Sequence, residues 1–124
     1  MQNVTSFENA CEILGINPQV SPATEGMPED IAKTTIAFYK LSIIYKATVG
    51  NWKPDYSKSN QWKRTPWLNW VPSLSAFVFT DAYYAVTIAG LGARFVFPDT
   101  NTGEAHAKYF ATQHIGLINQ LHTY

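Results

Sequence analysis

Hydrophobic positions in the first half of the chain recur at helical spacing. Residues 5–14 are predicted to form a short amphipathic helix, because Thr5 and Glu8 have the spacing of a capping box. A second, longer helix is predicted from Pro28 to about Thr48, since proline is favoured at the first helical position and apolar residues follow at the same spacing. The first half of the chain is therefore predicted to consist of two helices joined by a loop.

In the second half of the chain, apolar and polar residues alternate, which is typical of strands. Turns are predicted at Thr80–Ala82 and Ala89–Gly92, where short polar or glycine-containing segments interrupt the alternation. The predicted strands are Ala76–Thr80, Tyr83–Ile88 and Ala93–Phe97, with Trp67–Val71 as a fourth strand at the edge in the larger version of the sheet.

Residues 102–122 return to helical spacing, with Asn101 or Thr102 as the N-cap. The order of elements predicts an α+β fold. It has two N-terminal helices, a three- or four-stranded antiparallel meander, and a C-terminal helix packed on one face of the sheet. Neither a repeat nor a linker divides the sequence, so residues 1–124 are predicted to form a single domain.

The composition indicates a folded chain with some apolar surface kept for a partner. Hydrophobic residues make up 46% of the 124 residues and charged residues 15%, against about 25% charged in typical domains. Such a surface also fits a homo-oligomer. The formal net charge of zero argues against a dedicated duplex-DNA binder, because such proteins depend on an excess of Lys and Arg.

Features of compartment and membrane association point to a reducing intracellular compartment. Cys11 is the single cysteine, so no disulfide forms within the chain, which fits a reducing compartment. The N-terminal sequence lacks the basic and apolar segments of a signal peptide. No apolar run is long enough to span a membrane. We therefore expect a cytoplasmic protein without a membrane partner.

Candidate chemistry is sparse. Cys11 lies on the predicted apolar face of the first helix, where a thiol is usually inert. His106, His114 and His122 are eight residues apart, which does not bring two imidazoles onto one metal ion. Glu104 and Lys108 are four residues apart on a predicted helix, which is the spacing of a salt bridge. A metal-dependent nuclease needs an acid and a lysine two residues apart on a strand, so this pair does not predict one. The sequence predicts no enzyme, no metal and no cofactor.

The segment from Gly50 to Pro72 combines four tryptophans with four basic residues. Aromatic rings and cations together are what single-stranded nucleic acid requires, for base stacking and for phosphate contacts. The candidate binding residues are Lys53, Lys58, Trp62, Lys63, Arg64 and Trp70, with Tyr83 and Arg94 extending the surface from the outer sheet face.

Two other interpretations of this segment remain open. The tryptophans can anchor the segment in the core, and we expect this of Trp52 and Trp67, with Trp62 and Trp70 partly exposed. Tryptophan and arginine are also enriched at the centres of protein–protein interfaces, so a protein partner fits equally well.

Four segments together carry a resemblance that covers nearly the whole chain. They are FENACEILGI, IAFYKLSIIYKA, NWKPDYSKSNQWKRTPWL and GARFVF, with Trp52–Asp55 and Pro66-Trp67 as the most specific parts. The chain thereby resembles small proteins encoded by bacteriophages and prophages of gut anaerobic bacteria. The resemblance implies a phage-type gene expressed in a bacterial host cell and implies no particular activity.

The functional hypothesis combines these observations. We predict a non-catalytic phage-type accessory protein that binds single-stranded nucleic acid through the Trp/Lys/Arg-rich segment. The alternative is an interaction module that engages a host or virion protein, or a second copy of itself.

Overall fold

A computed structural model describes residues 1–85 and 94–122 of the chain. That part of the chain contains four α-helices and a three-stranded antiparallel sheet, so the predicted α+β class is confirmed. The elements are α1 (Phe7–Leu14), α2 (Glu29–Val49), β1 (Lys63–Val71), a 3₁₀ turn (Pro72–Leu74), β2 (Ala76–Ala85), β3 (Phe97–Pro98), α3 (Asn101–Gln113) and α4 (Ile115–His122).

The cap of α1 is shifted by one residue from the predicted pair Thr5 and Glu8. The Oγ of Ser6 accepts a hydrogen bond from the backbone N–H of Asn9 at 3.0 Å, and the Oδ1 of Asn9 accepts one from the N–H of Thr5 at 3.1 Å. This exchange satisfies two backbone donors that the helix itself leaves without partners. Gly15 ends the helix in the left-handed region, with φ of 68°.

The order of strands in the sheet is β2-β1-β3, so the predicted meander order is wrong. Trp67–Val71, which we predicted as an edge strand, is the second half of the central strand β1. On the other side of β1, the two-residue strand β3 pairs with Lys63 and Arg64. The predicted turn at Ala89–Gly92 and most of the strand after Tyr83 lie outside the described residues.

The predicted turn at Thr80–Ala82 is also wrong, because β2 continues through it. Trp67 pairs with Asp81 and Leu68 pairs with Phe79, so Thr80 is an extra residue in β2 and forms a β-bulge. The bulge changes which residues of β2 face the helices. Phe79 packs against the core on one side of the bulge, and Ala82 is buried on the other.

The predicted C-terminal helix is two helices, α3 and α4, which are separated at His114. Its N-cap is Thr100 rather than Asn101 or Thr102, because the Oγ1 of Thr100 accepts a hydrogen bond from the N–H of Gly103 at 2.9 Å. Helix α3 packs across all three strands, and α4 packs between β2 and α2. The sheet therefore has its helices on one face.

Aromatic rings join α2, α3 and the chain around β3. The ring of Tyr45 lies 5.4 Å from that of Phe97 and 6.2 Å from that of Phe110, in edge-to-face arrangements. The Tyr45 hydroxyl donates a hydrogen bond to the carbonyl oxygen of Val96 at 2.5 Å. Burial raises the pKa of Tyr45 to about 12. This cluster fixes α2 and α3 to the strand that pairs with the beginning of β1.

Candidate binding surface

Three of the four tryptophans are exposed. The exposed fractions are 46% for Trp62, 57% for Trp67 and 48% for Trp70, whereas Trp52 is partly buried against the core. The predictions for Trp52, Trp62 and Trp70 are thus confirmed. The prediction that Trp67 anchors the segment in the core is wrong, because Trp67 occupies a position of β1 that alternates away from the helices.

Side chains of β1 alternate between the two faces of the sheet. Leu68 packs against the core, and Arg64 reaches α3, so the even-numbered positions face the helices. Trp67 therefore faces the opposite side, which we call the outer sheet face. Its neighbour across the strand pair is Asp81, which is also exposed.

Trp70 lies on the helix side of the sheet, at the end of β1. Its ring is 5.3 Å from that of Phe77, and the Phe77 ring is 5.8 Å from the imidazole of His122 on α4. Trp67 and Trp70 are separated by about 10 Å along the strand and face opposite sides. The exposed tryptophans consequently do not form one continuous platform for stacked bases.

Lys63 is a buried residue, with an exposed fraction of 1%. Its Nζ donates a hydrogen bond to the carbonyl oxygen of Gln61 at 2.8 Å and lies 4.7 Å from the centre of the Tyr56 ring. This geometry places the ammonium between the loop and the sheet. Lys63 therefore does not present a cation beside Trp62, as the predicted binding site required.

Arg64 connects β1 to β2 and to the start of α3. Its Nε donates to the Oδ1 of Asp99 at 2.6 Å, and its Nη1 donates to the carbonyl oxygen of Ala82 at 3.0 Å. The Nη2 lies 3.8 Å from the Oε2 of Glu104. Because two carboxylates surround this guanidinium, Arg64 stabilises the fold and is not presented to a phosphate as predicted.

The remaining cations of the predicted site lie in the loop before β1 and near β3. Lys53, Lys58 and Arg94 are exposed. The Nζ of Lys58 lies 3.8 Å from the carboxylate of Asp55. Hydrogen bonds from the side chain and backbone of Ser57 hold the pKa of Asp55 below its usual value, with a smaller contribution from Lys58.

The side chain of Gln61 closes this loop. Its Oε1 accepts from the N–H of Asp55 at 2.5 Å, and its Nε2 donates to the carbonyl oxygen of Lys53 at 3.1 Å. The backbone of Tyr83 lies in β2 opposite Thr65. The predicted binding residues thus differ in their surroundings. The tryptophans are exposed, two cations have contacts inside the fold (Lys63 and Arg64), and three cations are exposed outside the strands (Lys53, Lys58 and Arg94).

Sequence reasoning missed Asp81, which was assigned to a turn. Apolar residues alternate both before and after Thr80, and the alternation shifts by one position at Thr80. This pattern indicates one continuous strand that contains an extra residue. Asn119 was missed as well. Its side-chain amide accepts from the N–H of Phe77 at 2.7 Å and donates to the carbonyl oxygen of the same residue at 3.0 Å. It thereby satisfies the outer edge of β2 as a neighbouring strand would.

A groove of about 420 Å³ runs between β2 and α3. It begins at the bulge, beside Asp81, and extends along one face of α3. The residues that line it are Phe79, Thr80, Asp81, Asn101, Glu104, Ala105 and Lys108. The groove therefore lies between the edge strand β2 and helix α3, on the helix side of the sheet.

The thiol of Cys11 and the imidazole of His114 are both buried inside the fold. Cys11 is buried, and burial together with the nearby Glu8 raises the pKa of its thiol. His114 is buried and its Nε2 donates to the carbonyl oxygen of Val4 at 2.8 Å. Within residues 1–85 and 94–122, no three His, Cys, Asp or Glu side chains lie close enough to hold a metal ion. No helix in the same ranges is both long and apolar enough to cross a bilayer.

The chain was compared with protein-family models, with curated proteins and with solved structures, and none of the three comparisons found a match.

Proposed function

We propose that this chain is a non-catalytic binding domain of phage type that engages a partner protein through the outer sheet face around Trp67. The observation that carries the proposal is a contrast between neighbours on β1. Trp67 is 57% exposed, whereas Lys63 on the same strand is 1% exposed and the side chain of Arg64 is 21% exposed.

An exposed indole at the centre of a sheet favours association with another protein. Completing the burial of a side chain of this size contributes on the order of 2 kcal/mol. Tryptophan is also among the residues that contribute most at protein–protein interfaces. Asn69 and Val78 pair with each other beside Trp67 and supply a polar and an apolar contact on the same face. This combination resembles the mixed composition of interface cores.

Two features argue against single-stranded nucleic acid as the ligand of this face. Binding of a nucleic-acid strand needs cations beside the aromatic rings. On β1, however, the ammonium of Lys63 contacts the Tyr56 ring and the guanidinium of Arg64 forms an ion pair with Asp99. The residue directly across from Trp67 is the carboxylate Asp81, which repels a phosphate. A second copy of the chain is the remaining alternative, and it is separated from a different protein by the test below.

The test is a selection of peptides from a random displayed library on the immobilised protein, followed by titration of the enriched peptides in solution. We expect Trp67→Ala to weaken their binding by about tenfold or more, since the anchor residue is lost. Leu74→Ala is the matched control, because Leu74 is an exposed apolar residue in the 3₁₀ turn after β1.

The proposal is overturned if the enriched peptides bind wild type and Trp67→Ala equally. It is overturned in favour of self-association if sedimentation shows a concentration-dependent dimer that Trp67→Ala converts to monomer. Trp67→Ala removes a strand residue that is only 57% exposed, so a denaturation curve first establishes that the variant is fully folded under the conditions of the titration.

A further inference from the structure

The proposed function leaves open which chemistry the partner presents to Trp67. We infer that Trp67 and Asp81 form a recognition site for a single cationic side chain of the partner, with arginine as the preferred residue. This inference rests on the proposed function and specifies the ligand of the same face.

Trp67 and Asp81 are directly opposite each other in neighbouring strands. Side chains at such positions leave the sheet on the same face, with Cβ atoms about 5 Å apart. Both are exposed, so a group that rests on the indole also reaches the carboxylate. One oxygen of Asp81 accepts a hydrogen bond from the N–H of Ala82 at 2.7 Å, which holds the carboxylate in place.

The bulge at Thr80 is what brings Asp81 to this position. Phe77 and Phe79 precede it at alternating positions, and Phe79 packs against the core. In a regular strand, Asp81 would follow them onto the helix side of the sheet. The extra residue moves Asp81 to the outer face beside Trp67 and places Ala82 in the core instead. Bulges commonly redirect a side chain in this way at functional sites.

The chemistry of the pair selects for a cation. The face of an indole attracts an ammonium or guanidinium group more strongly than the face of any other aromatic side chain. A carboxylate at the same place adds an ion pair, and it disfavours anions. Arginine fits better than lysine, because its planar group stacks on a ring while its N–H donors reach a carboxylate.

The experiment is an NMR titration of ¹⁵N-labelled protein with N-acetyl-arginine amide, observed at the tryptophan indole N–H signals. N-acetyl-citrulline amide is the matched neutral probe, because it has nearly the same shape without the charge. We expect the Trp67 signal to shift and saturate with the arginine probe and to remain in place with the citrulline probe. Asp81→Asn should weaken the arginine response by about fivefold. Glu12→Gln, at an exposed position of α1, should leave it unchanged.

The inference is overturned if both probes shift the Trp67 signal equally, if neither shifts it, or if Asp81→Asn responds as wild type does. Its failure can be distinguished from that of the proposed function. Selected peptides that require Trp67, contain no basic residue and bind Asp81→Asn normally would overturn the cation site and leave the protein-binding proposal standing. If the arginine probe alone shifts the Trp67 signal and no selected peptide depends on Trp67, the cation site stands and the protein-binding proposal is overturned.

Discussion

The ammonium group of Lys63 lies 4.7 Å from the centre of the Tyr56 ring, beneath the loop that precedes β1. Lys63 is the first residue of the central strand and follows Trp62, so in the sequence it looks like a surface cation beside an aromatic ring. In the fold it is one of the most buried side chains of the described chain. Trp62 and Lys63 are therefore neighbours in the sequence, but the tryptophan is exposed and the lysine is buried.

Removing the Lys63 side chain should destabilise the protein. Lys63→Ala loses the hydrogen bond to the Gln61 carbonyl and the contact with Tyr56, and it leaves a cavity. We expect the free energy of unfolding to fall by about 2–4 kcal/mol in urea denaturation. Lys58→Ala is the control, because the Lys58 side chain is 63% exposed and should change stability by less than about 0.5 kcal/mol. Equal stability of the two variants would contradict the internal position of Lys63.

The amide of Asn119 should protect the outer edge of β2. Asn119→Ala removes both hydrogen bonds to the backbone of Phe77, which leaves a strand edge without partners at that residue. We expect a loss of about 1–3 kcal/mol in the free energy of unfolding and a greater tendency to aggregate, measured by light scattering. Asn69→Ala, at an exposed position of β1, should show neither effect. Aggregation at the same rate in both variants would argue against the edge-protecting role.

Two helical glycines should respond to alanine in opposite directions. A Cβ at Gly103 would overlap the carbonyl oxygen of Pro98, whereas one at Gly116 meets nothing within 4 Å. Gly103→Ala should therefore lower the free energy of unfolding by about 2 kcal/mol or more. Gly116→Ala should raise it by about 0.5–1 kcal/mol, because alanine favours the helical conformation. Thermal denaturation of both variants tests the close packing of α3 against Pro98, the last residue of β3. A stable Gly103→Ala protein would contradict it.

His114 should make stability depend on pH. Burial lowers the pKa of His114, and the hydrogen bond to Val4 opposes this only in part. The unfolded chain takes up the proton near pH 6.5 and the folded chain does so at lower pH, so acidification favours unfolding. The stabilising contribution is therefore complete above about pH 6.5 and is lost as the pH falls through the pKa of the folded state.

His114→Gln should reduce this dependence, because glutamine can donate to the Val4 carbonyl oxygen but does not titrate. We expect urea denaturation between about pH 7.5 and pH 5 to show a smaller decline in stability for the variant than for wild type. His106→Gln provides the comparison, since partial burial and the N-terminal charge also lower the pKa of His106. Identical pH profiles for wild type and His114→Gln would exclude the contribution of His114.

The helices were predictable from the sequence because their signals are local. Gly15 after α1 and Pro28 before α2 determine nearby backbone geometry without help from the rest of the chain. The shift of the first cap to Ser6 and the break at His114 depend on contacts with distant residues. His114 bonds to Val4, for example, which is far away in the sequence.

The order of the strands and the positions of the cations were not predictable by the same reasoning. Trp67–Val71 has the composition of an edge strand and becomes central only because β3 pairs with the start of β1. Arg64 has the sequence context of a binding residue, but Asp99 is brought to it by that same pairing. Alternation indicates that a strand exists, but it does not indicate which strands lie beside it.

Binding at two salt concentrations tests the central claim, that Trp67 serves a protein partner and not a nucleic acid. The intrinsic tryptophan fluorescence would be titrated with a selected peptide and with a mixed-sequence oligonucleotide of about 20 nucleotides, at about 50 and 300 mM salt. We predict peptide affinity that changes by less than about threefold with salt and is lost in Trp67→Ala, with no response to the oligonucleotide. Saturable quenching by the oligonucleotide that weakens steeply with salt and disappears in Trp67→Ala would contradict the claim.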